Sequence, residues 1–531
     1  MTSQVGDALH PTSYDYNPDI PYTSNMSASD FRPIITGATG GEPIAGALAP
    51  NRVEFRDFVK DKQQFSLYVQ ALEVIFKEPF DRDFSWPAIG GITQSLHAAA
   101  LKIAHEYTTD KLGWVKAAQN FRVPFWDWAR PVPAGEPATV KNPVHSFTFL
   151  SKFPYTTFDA PYNGWQTTLR YPTSDQPDAK SQMDLFESTY GQNNSQVRTQ
   201  TYQMLTRLVT WNYFSNHTTK QNPPIANSLE TIHDNMHLLI GGNEQYEGHM
   251  SDVPVAGFDA AFFLHHANVD RLLSLWQAIN YDVWVTPGDQ PGGTYTIKDN
   301  GPVNVQSDLT PFWLTESSFW NSTQPRGDPH GHFERVGKLY GPVRPTPLTV
   351  QPGGPEIPAG GPGPVQPGGP EKPPTGTSSG GSTSVEYNST THEWTVHIRF
   401  KKFELGKSYS VQVFLGETYV GSVSAFTSAS AHRCENCRNN LDIELEGFVH
   451  LNEVLLQKLH TLSPDVVKPY LTKELSLKVQ GRKRDLPSLK VAPFSRHVYQ
   501  DSPYEVPRLG DVTYHHGVLS GKPGHTPAER W

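Results

Sequence analysis

Cysteine is almost absent from this chain: Cys434 and Cys437, in "RCENCR", are the only two among 531 residues. They cannot build a disulfide framework, and such sparing thiol use fits a reducing compartment. Long apolar runs are missing too, since none reaches the roughly 18 residues that a membrane span needs. Positive charge is short, with 44 Lys and Arg against 53 Asp and Glu and both signs interspersed. That leaves neither the basic footprint of a nucleic-acid binder nor a polybasic patch for a membrane surface. The opening residues, "MTSQVGDALHPTSYDY", lack the charged and apolar regions of a secretory leader, so the expected location is cytoplasmic. The sequons at Asn25, Asn193, Asn216, Asn321 and Asn388 then carry no glycan.

Apolar mass is scarcest over residues 346–387, a stretch saturated in proline, glycine and serine. Such a segment cannot bury enough surface to offset its ordering entropy and reads as a linker. It divides the chain into a larger part, residues 31–345, and a smaller one, residues 388–531, with a disordered extension expected over residues 1–30. Helical spacing recurs over residues 56–76, 93–107, 199–214 and 260–279, so the larger part is mainly α. Residues 393–426 alternate apolar and polar side chains between glycine turns, the pattern of antiparallel strands, and predict a β-rich sandwich or barrel. The final twenty or so residues read as a histidine- and glycine-bearing tail. "ITGATGG" (residues 35–41) resembles a dinucleotide loop only superficially, because no buried strand precedes it and Glu42-Pro43 follows where a helix should begin.

What the chain does have is histidine in a pattern. In "ETIHDNMHLL", His233 and His237 stand four apart, on one face of a helix, where they can grip one ion. Taken alone, such a pair is an ordinary pair of core histidines. The adjacent His265 and His266, in the apolar helix "FDAAFFLHHANVDRL", change that reading, because imidazoles on facing helices are how a bundle core builds a metal site. Neighbours on a helix diverge by roughly 100°, so only one of this pair is expected to reach the ion. Three imidazoles without thiolate or carboxylate suit copper or zinc.

The stretches "NSLETIHDNMHLLIGG", "GHMSDVPVAGFDAAFFLHHANVDRLLSLW" and "FRVPFWDWAR" resemble the second copper motif and neighbouring signature of fungal tyrosinases, the type 3 copper phenol oxidases or polyphenol oxidases. With "CENC" and "EGFVHL" downstream, the order of segments is similar to the basidiomycete enzymes. The resemblance implies a mainly α fold, a helical-bundle catalytic domain followed by a removable C-terminal β-rich cap. It also implies two coppers, small phenolic substrates and dioxygen, and the hydroxylation of monophenols and oxidation of o-diphenols to o-quinones that leads to melanin-type pigment. By position, His233, His237 and His266 become the ligands of the second copper, CuB, with His265 behind them. Phe262 matches the aromatic beneath the site and Val253 the gate above it. Glu230 matches an acid that orients a water, and Asp234 stands where efficient hydroxylators often carry asparagine. Ala260 replaces a proline usual in the motif.

The segment for the first copper, CuA, is not visible. "AIGGITQSLHAAALKIAHEY" runs directly from Ile92 to Thr93, without the "HGLP", "HGS" and "WHRP" stretches or the thioether cysteine that the family carries there. His97 and His105 do not replace them: eight residues apart, they point about 80° away from each other and span two turns, and both read as surface or flank positions. The family's tyrosine motif at the close of the catalytic domain is likewise replaced by "TQPRGDPHGHFER". The chain is then either a splice form of a working oxidase or a copper-binding derivative that holds CuB alone. In the cap, Cys434 and Cys437 are spaced to bind a soft ion such as Cu(I), or form a vestigial redox pair. The resemblance implies copper loading through them, with a copper chaperone as partner, and an aromatic plug from the cap, for which Phe426 is the candidate.

Overall fold

The computed structural model describes residues 34–38, 40–42, 50–76, 92–131, 169–176, 178–242, 245–291, 293–294, 296–327, 329–340, 389–428, 437–438, 440–480, 486–500 and 506–531. The expected extension over residues 1–30, the linker over residues 346–387 and Cys434 lie outside them.

The larger part is helical: α1 (Phe55–Phe58), α2 (Lys62–Phe76), α3 (Ile92–Glu106), α4 (Lys111–Asn120), α5 (Met183–Arg207), α6 (Trp211–Ser215), α7 (Leu229–Gly241) and α8 (Ala261–Ile279). Two small hairpins, β1 (Gly288–Gln290) with β2 (Gly301–Val303) and β3 (Trp313–Thr315) with β4 (Ser318–Phe319), precede α9 (Thr323–Arg326) and α10 (Pro329–Tyr340). The apolar spacing of the sequence becomes one core, to which Leu72, Phe121, Met204, Ile232, Phe263 and Trp276 contribute. The helix expected across residues 199–214 is interrupted between α5 and α6. Leu208 is extended there, buried, and its carbonyl accepts the indole N–H of Trp276 at 2.5 Å, a tertiary partner that outcompetes the helical one.

Two devices fix the helices that matter most. Ser228 caps α7 by accepting the Thr231 N–H at 3.1 Å, as expected of a serine at that position. Asp259 accepts the Ala261 N–H at 2.9 Å at the start of α8 while forming two hydrogen bonds, at 2.7 and 2.8 Å, with Arg170, both side chains fully buried.

The smaller part is built from two sheets. β5 (Ser389–Lys401) runs antiparallel between β8 (Glu444–His450) and β10 (Lys490–Gln500), and β10 also pairs with β11 (Arg508–Leu509) and β12 (Thr513–Tyr514). β6 (Tyr409–Leu415) lies between β7 (Thr418–Ala425) and β9 (Leu475–Gln480). Between the sheets, Trp394, Val411, Val423, Leu445 and Val491 form a second core, with helices α11 (Asn452–Leu459) and α12 (Pro464–Glu474) against it. The C-terminal residues are not a loose tail. Val518 and Leu519 are buried in this core, and the Arg399 guanidinium lies 4.8 Å from the centre of the Trp531 ring, because the segment carries enough apolar surface to dock.

The two parts meet over a polar seam. The side-chain amide of Asn227 donates to the Phe448 carbonyl and accepts its N–H, both at 2.8 Å, and Gln196 does the same at His450. Glu393 of β5 is held between Arg207 of α5 and Arg496 of β10, and Arg496 also donates to the carbonyls of Pro224 and Ile225.

Candidate metal centre

α7 and α8 bring His233, His237, His265 and His266 together, the one group of metal-ligating side chains found among the described residues. The Nε2 atoms of His237 and His266 each lie 3.1 Å from that of His233. Metal–nitrogen bonds of about 2.0–2.1 Å at angles near 100° give this spacing. The opposite nitrogen of each ring is tied: Nδ1 lies 2.9 Å from Asp234 Oδ1 in His233, 2.8 Å from the Met250 carbonyl in His237, and 2.9 Å from the Phe262 carbonyl in His266. A proton donated outward from each Nδ1 leaves three Nε2 lone pairs facing one another, which is how second partners orient imidazole ligands.

The Met250 carbonyl reaches His237 because the chain folds back at the end of α7. Gly242 has φ of +79°, and a Cβ at Gly241 would sit 2.3 Å from Ser251 Oγ, so the glycine pair of "LIGG" lets the turn at His249–Ser251 close on the helix. Burial favours the neutral form of two of the rings. Burial, reinforced by His233 and His266, holds His237 well below the usual imidazole range, and burial with His233 holds His266 down to about 3. Neutral imidazoles without a thiolate fit copper, and they fit one ion.

His265 departs from expectation. Despite the divergence of neighbouring helix positions, its ring centre lies 5.0 Å from that of His233, 4.7 Å from His237 and 4.9 Å from His266, because α7 and α8 pack closely enough for both rings to reach the same space. Behind it lies Trp128 of "FWDW", ring centres 4.8 Å apart.

Of the other residues singled out in the sequence, Phe262 packs on His266 with ring centres 4.0 Å apart. Val253 is half exposed, and its N–H donates to the Thr427 carbonyl of the smaller part at 3.2 Å. Phe426, next to Thr427, stacks on His237 at 4.0 Å with an interplanar angle of 16°. Glu230 accepts the His217 backbone N–H at 3.0 Å. Asp234 is buried; burial pushes its carboxyl up, but Lys402, the His233 hydrogen bond and His217 outweigh burial and leave it below the usual range. Ala260 is buried immediately before α8.

His105 is exposed, but His97 is not the surface position expected of it. It is 6 % exposed, and burial with the nearby Arg122 lowers it to about 4. Its partners are the Gln119 backbone of α4 and Arg122, and it is not part of the four-histidine group. Of the 21 histidines, only His10, His145 and His432 lie outside the described residues, and the described ones assemble no second group of this kind. Cys437 is half-buried.

Sequence reasoning missed Lys402, His217 and the Met250 carbonyl. Lys402 Nζ lies 4.0 Å from Asp234 Oδ2, and His217 Nδ1 lies 3.6 Å from the same oxygen. A lysine in a strand-ending "RFKKFEL" and a lone histidine carry no spacing signal, and a backbone acceptor carries none at all.

Residues 97–279 match the common central domain of tyrosinase, and residues 393–493 match the tyrosinase C-terminal domain. Polyphenol oxidase 2 of Agaricus bisporus is 30% identical over 545 residues, which cover 85% of this chain and 94% of that one. Polyphenol oxidase 4 of the same organism is 28% identical over 557 residues, covering 89% and 87%. The solved structure of recombinant mushroom tyrosinase is similar with a TM-score of 0.66 at 25% identity, over 90% of this chain and 98% of that one.

Proposed function

Since the chain belongs to the tyrosinase family of type 3 copper oxidoreductases, we propose that its centre serves the oxidation of phenols by dioxygen, and that the chain as written supplies one copper site of the pair. The reactions are the hydroxylation of monophenols and the oxidation of o-diphenols to o-quinones, in the direction of melanin-type pigment. The observation that carries this reading is the convergence of three Nε2 atoms whose partner nitrogens are all tied outward.

Two coppers, when bound, supply the two electrons that reduce dioxygen, and His233, His237 and His266 hold one of them. The protein's own part is orientation and exclusion. Met250, Phe262 and Asp234 set the imidazole tautomers, and Phe262 closes the floor. Phe426 occupies the face of His237 where a phenol ring would stack, so the β-rich part acts as a cap and Phe426 as its plug. Val253, bonded to Thr427, is the gate that the cap holds shut. Cys434 and Cys437 receive copper for the centre, from a chaperone that binds the cap. With only the second triad present, the chain by itself is a copper-binding form without the two-electron chemistry.

Metal analysis after dialysis tests this: about one copper per chain is expected, lost in the His233→Ala, His237→Ala double variant. With the linker cut, dioxygen uptake on an o-diphenol stays at background, and inserting a family segment with three histidines between Ile92 and Thr93 brings a second copper and turnover. Vigorous oxidation by the unmodified copper-loaded chain overturns the reading.

A further inference from the structure

Two further imidazoles face each other across the larger sheet of the β-rich part. His392 of β5 and His497 of β10 are directly opposed in an antiparallel register that runs unbroken from Ser389 with Gln500 to Arg399 with Lys490. Their ring centres lie 4.2 Å apart, the planes tilted by 46° rather than stacked. Side chains alternate across a strand, and the next residues along, Glu393 and Arg496, point into the seam toward Arg207 and the Pro224 carbonyl. The histidine pair therefore stands on the other face of the sheet, turned away from the helical part, with His497 exposed and His392 half-buried. The backbone beneath the pair is fixed. Asn452 donates to the His392 carbonyl at 2.9 Å and accepts the Trp394 N–H at 2.7 Å, while the Gly510 N–H donates to the His497 carbonyl at 2.8 Å. Among the described residues no hydrogen bond reaches a nitrogen of either ring. A metal bonded at about 2.0–2.1 Å to one nitrogen of each of two imidazoles at a right angle places their ring centres about 4.5 Å apart. The observed separation is already close to that, and neighbouring strands hold the two donors more precisely than loops would.

We propose that His392 and His497 form a surface site for Cu(II), which binds the two imidazoles side by side and fills its remaining positions with water. Nitrogen donors at a right angle match the tetragonal geometry that Cu(II) prefers, whereas zinc favours tetrahedral angles and Cu(I) softer sulfur donors. Two donors make a weaker and more exchangeable site than the four-histidine group, and the water-filled positions leave the ion open to another ligand. The β-rich part thus captures the oxidised ion on residues that the centre between α7 and α8 does not share, and does so whatever that centre holds. The competing role is that of an ordinary cross-strand ring pair, worth about 0.2–1 kcal/mol in sheet stability.

Pulsed electron paramagnetic resonance on the full chain titrated with Cu(II), counting the imidazoles coupled to each ion, separates the two roles. The His233→Ala, His237→Ala double variant empties the centre and leaves the sheet untouched. Cu(II) added to it is expected to show two imidazoles, falling to one when His497→Phe is added, a change that keeps a ring opposite His392. The Cu(II) dissociation constant should then rise by about tenfold or more, because the second imidazole is held at a high effective concentration beside the first. The native chain decides the matter even if the double variant does not fold: there a Cu(II) beyond the one at the centre should bind, and be lost in His497→Phe. Ions that show one imidazole or none, an affinity that is equal with and without His497→Phe, or four imidazoles accompanied by dimerisation overturn the proposal. A native chain that binds copper through this pair alone is a different failure, that of the four-histidine centre.

Discussion

Replacing Glu393 by glutamine should loosen the cap by at most about 3 kcal/mol. Its carboxylate is 7 % exposed, with Arg207 Nη2 of the catalytic part at 2.8 Å on one oxygen and Arg496 Nη2 of the cap at 2.6 Å on the other. Burial pushes the carboxyl up, yet Arg207 and Arg496 more than reverse this and bring it from 4.5 down to about 2. Each tenfold change in proton affinity corresponds to about 1.4 kcal/mol, so the fall is worth about 3 kcal/mol. Breaking a buried ion pair from one side costs a similar amount, about 3–5 kcal/mol, because the remaining guanidinium groups stay buried and uncompensated. The assay is to cut the chain within residues 346–387 and measure dissociation of the cap from the catalytic part. A loss of the full 3 kcal/mol or so would raise the dissociation constant by roughly 150-fold, which is the upper limit because Arg496 stays with Glu393 in the released cap. A double-mutant cycle of Glu393→Gln with Arg207→Ala assigns the share that crosses the seam, as opposed to the share within the cap. The pH dependence has a fixed sign. A carboxylate depressed in the folded state contributes fully above about 4.5 and loses that contribution as the pH falls toward 2, so native docking weakens across that window and docking in Glu393→Gln responds less. Cycles in which both single variants and the pair stay within about 0.5 kcal/mol of native would refute the argument, since exposed ion pairs behave that way.

Two other outcomes follow from the site. In a form carrying a second copper triad, Phe426→Gly should raise turnover with the linker intact, because the ring stacked on His237 is gone, whereas cutting the linker should raise native and variant to a similar level; an uncut variant that stays latent places the plug elsewhere. Ala260 has φ of −60°, follows an extended Asp259 and donates its N–H to no described carbonyl, so Ala260→Pro should stabilise the chain by about 0.4–1 kcal/mol in thermal unfolding; a drop in melting temperature contradicts it.

The parts of this molecule that are legible in its sequence are those set by spacing. His233 and His237 follow from helical periodicity, and β5, β6 and β7 from alternation with glycine turns, because those patterns come from covalent geometry; the choice of His266 over His265 rests on family resemblance. The position of Phe426 rests on family resemblance, and the short distance to His237 gives it a physical contact. What is illegible comes from tertiary partners. The break at Leu208 needs Trp276, which is 68 residues away in the chain. The burial of His97 depends on how α3 meets α4 and on Arg122. The docked C-terminus depends on a sheet that local sequence does not announce. His265 shows the limit of helix geometry applied to one helix: the divergence of adjacent positions is correct, but the closeness of the facing helix decides what both rings reach.

The pairing of Asn227 and Gln196 with the backbone of β8 has a consequence for the fate of the cap. β8 ends its sheet, so in the joined molecule these two amides, rather than another strand, satisfy its outer rim at Phe448 and His450. A cap that departs intact carries that rim away uncovered, a row of free N–H and C=O groups of the kind on which stray chains align and fibrils begin. Simple release of the β-rich part would therefore produce a sticky by-product in step with every helical part freed. Digesting the β-rich part in place, by contrast, would remove that rim together with the strands that carry it.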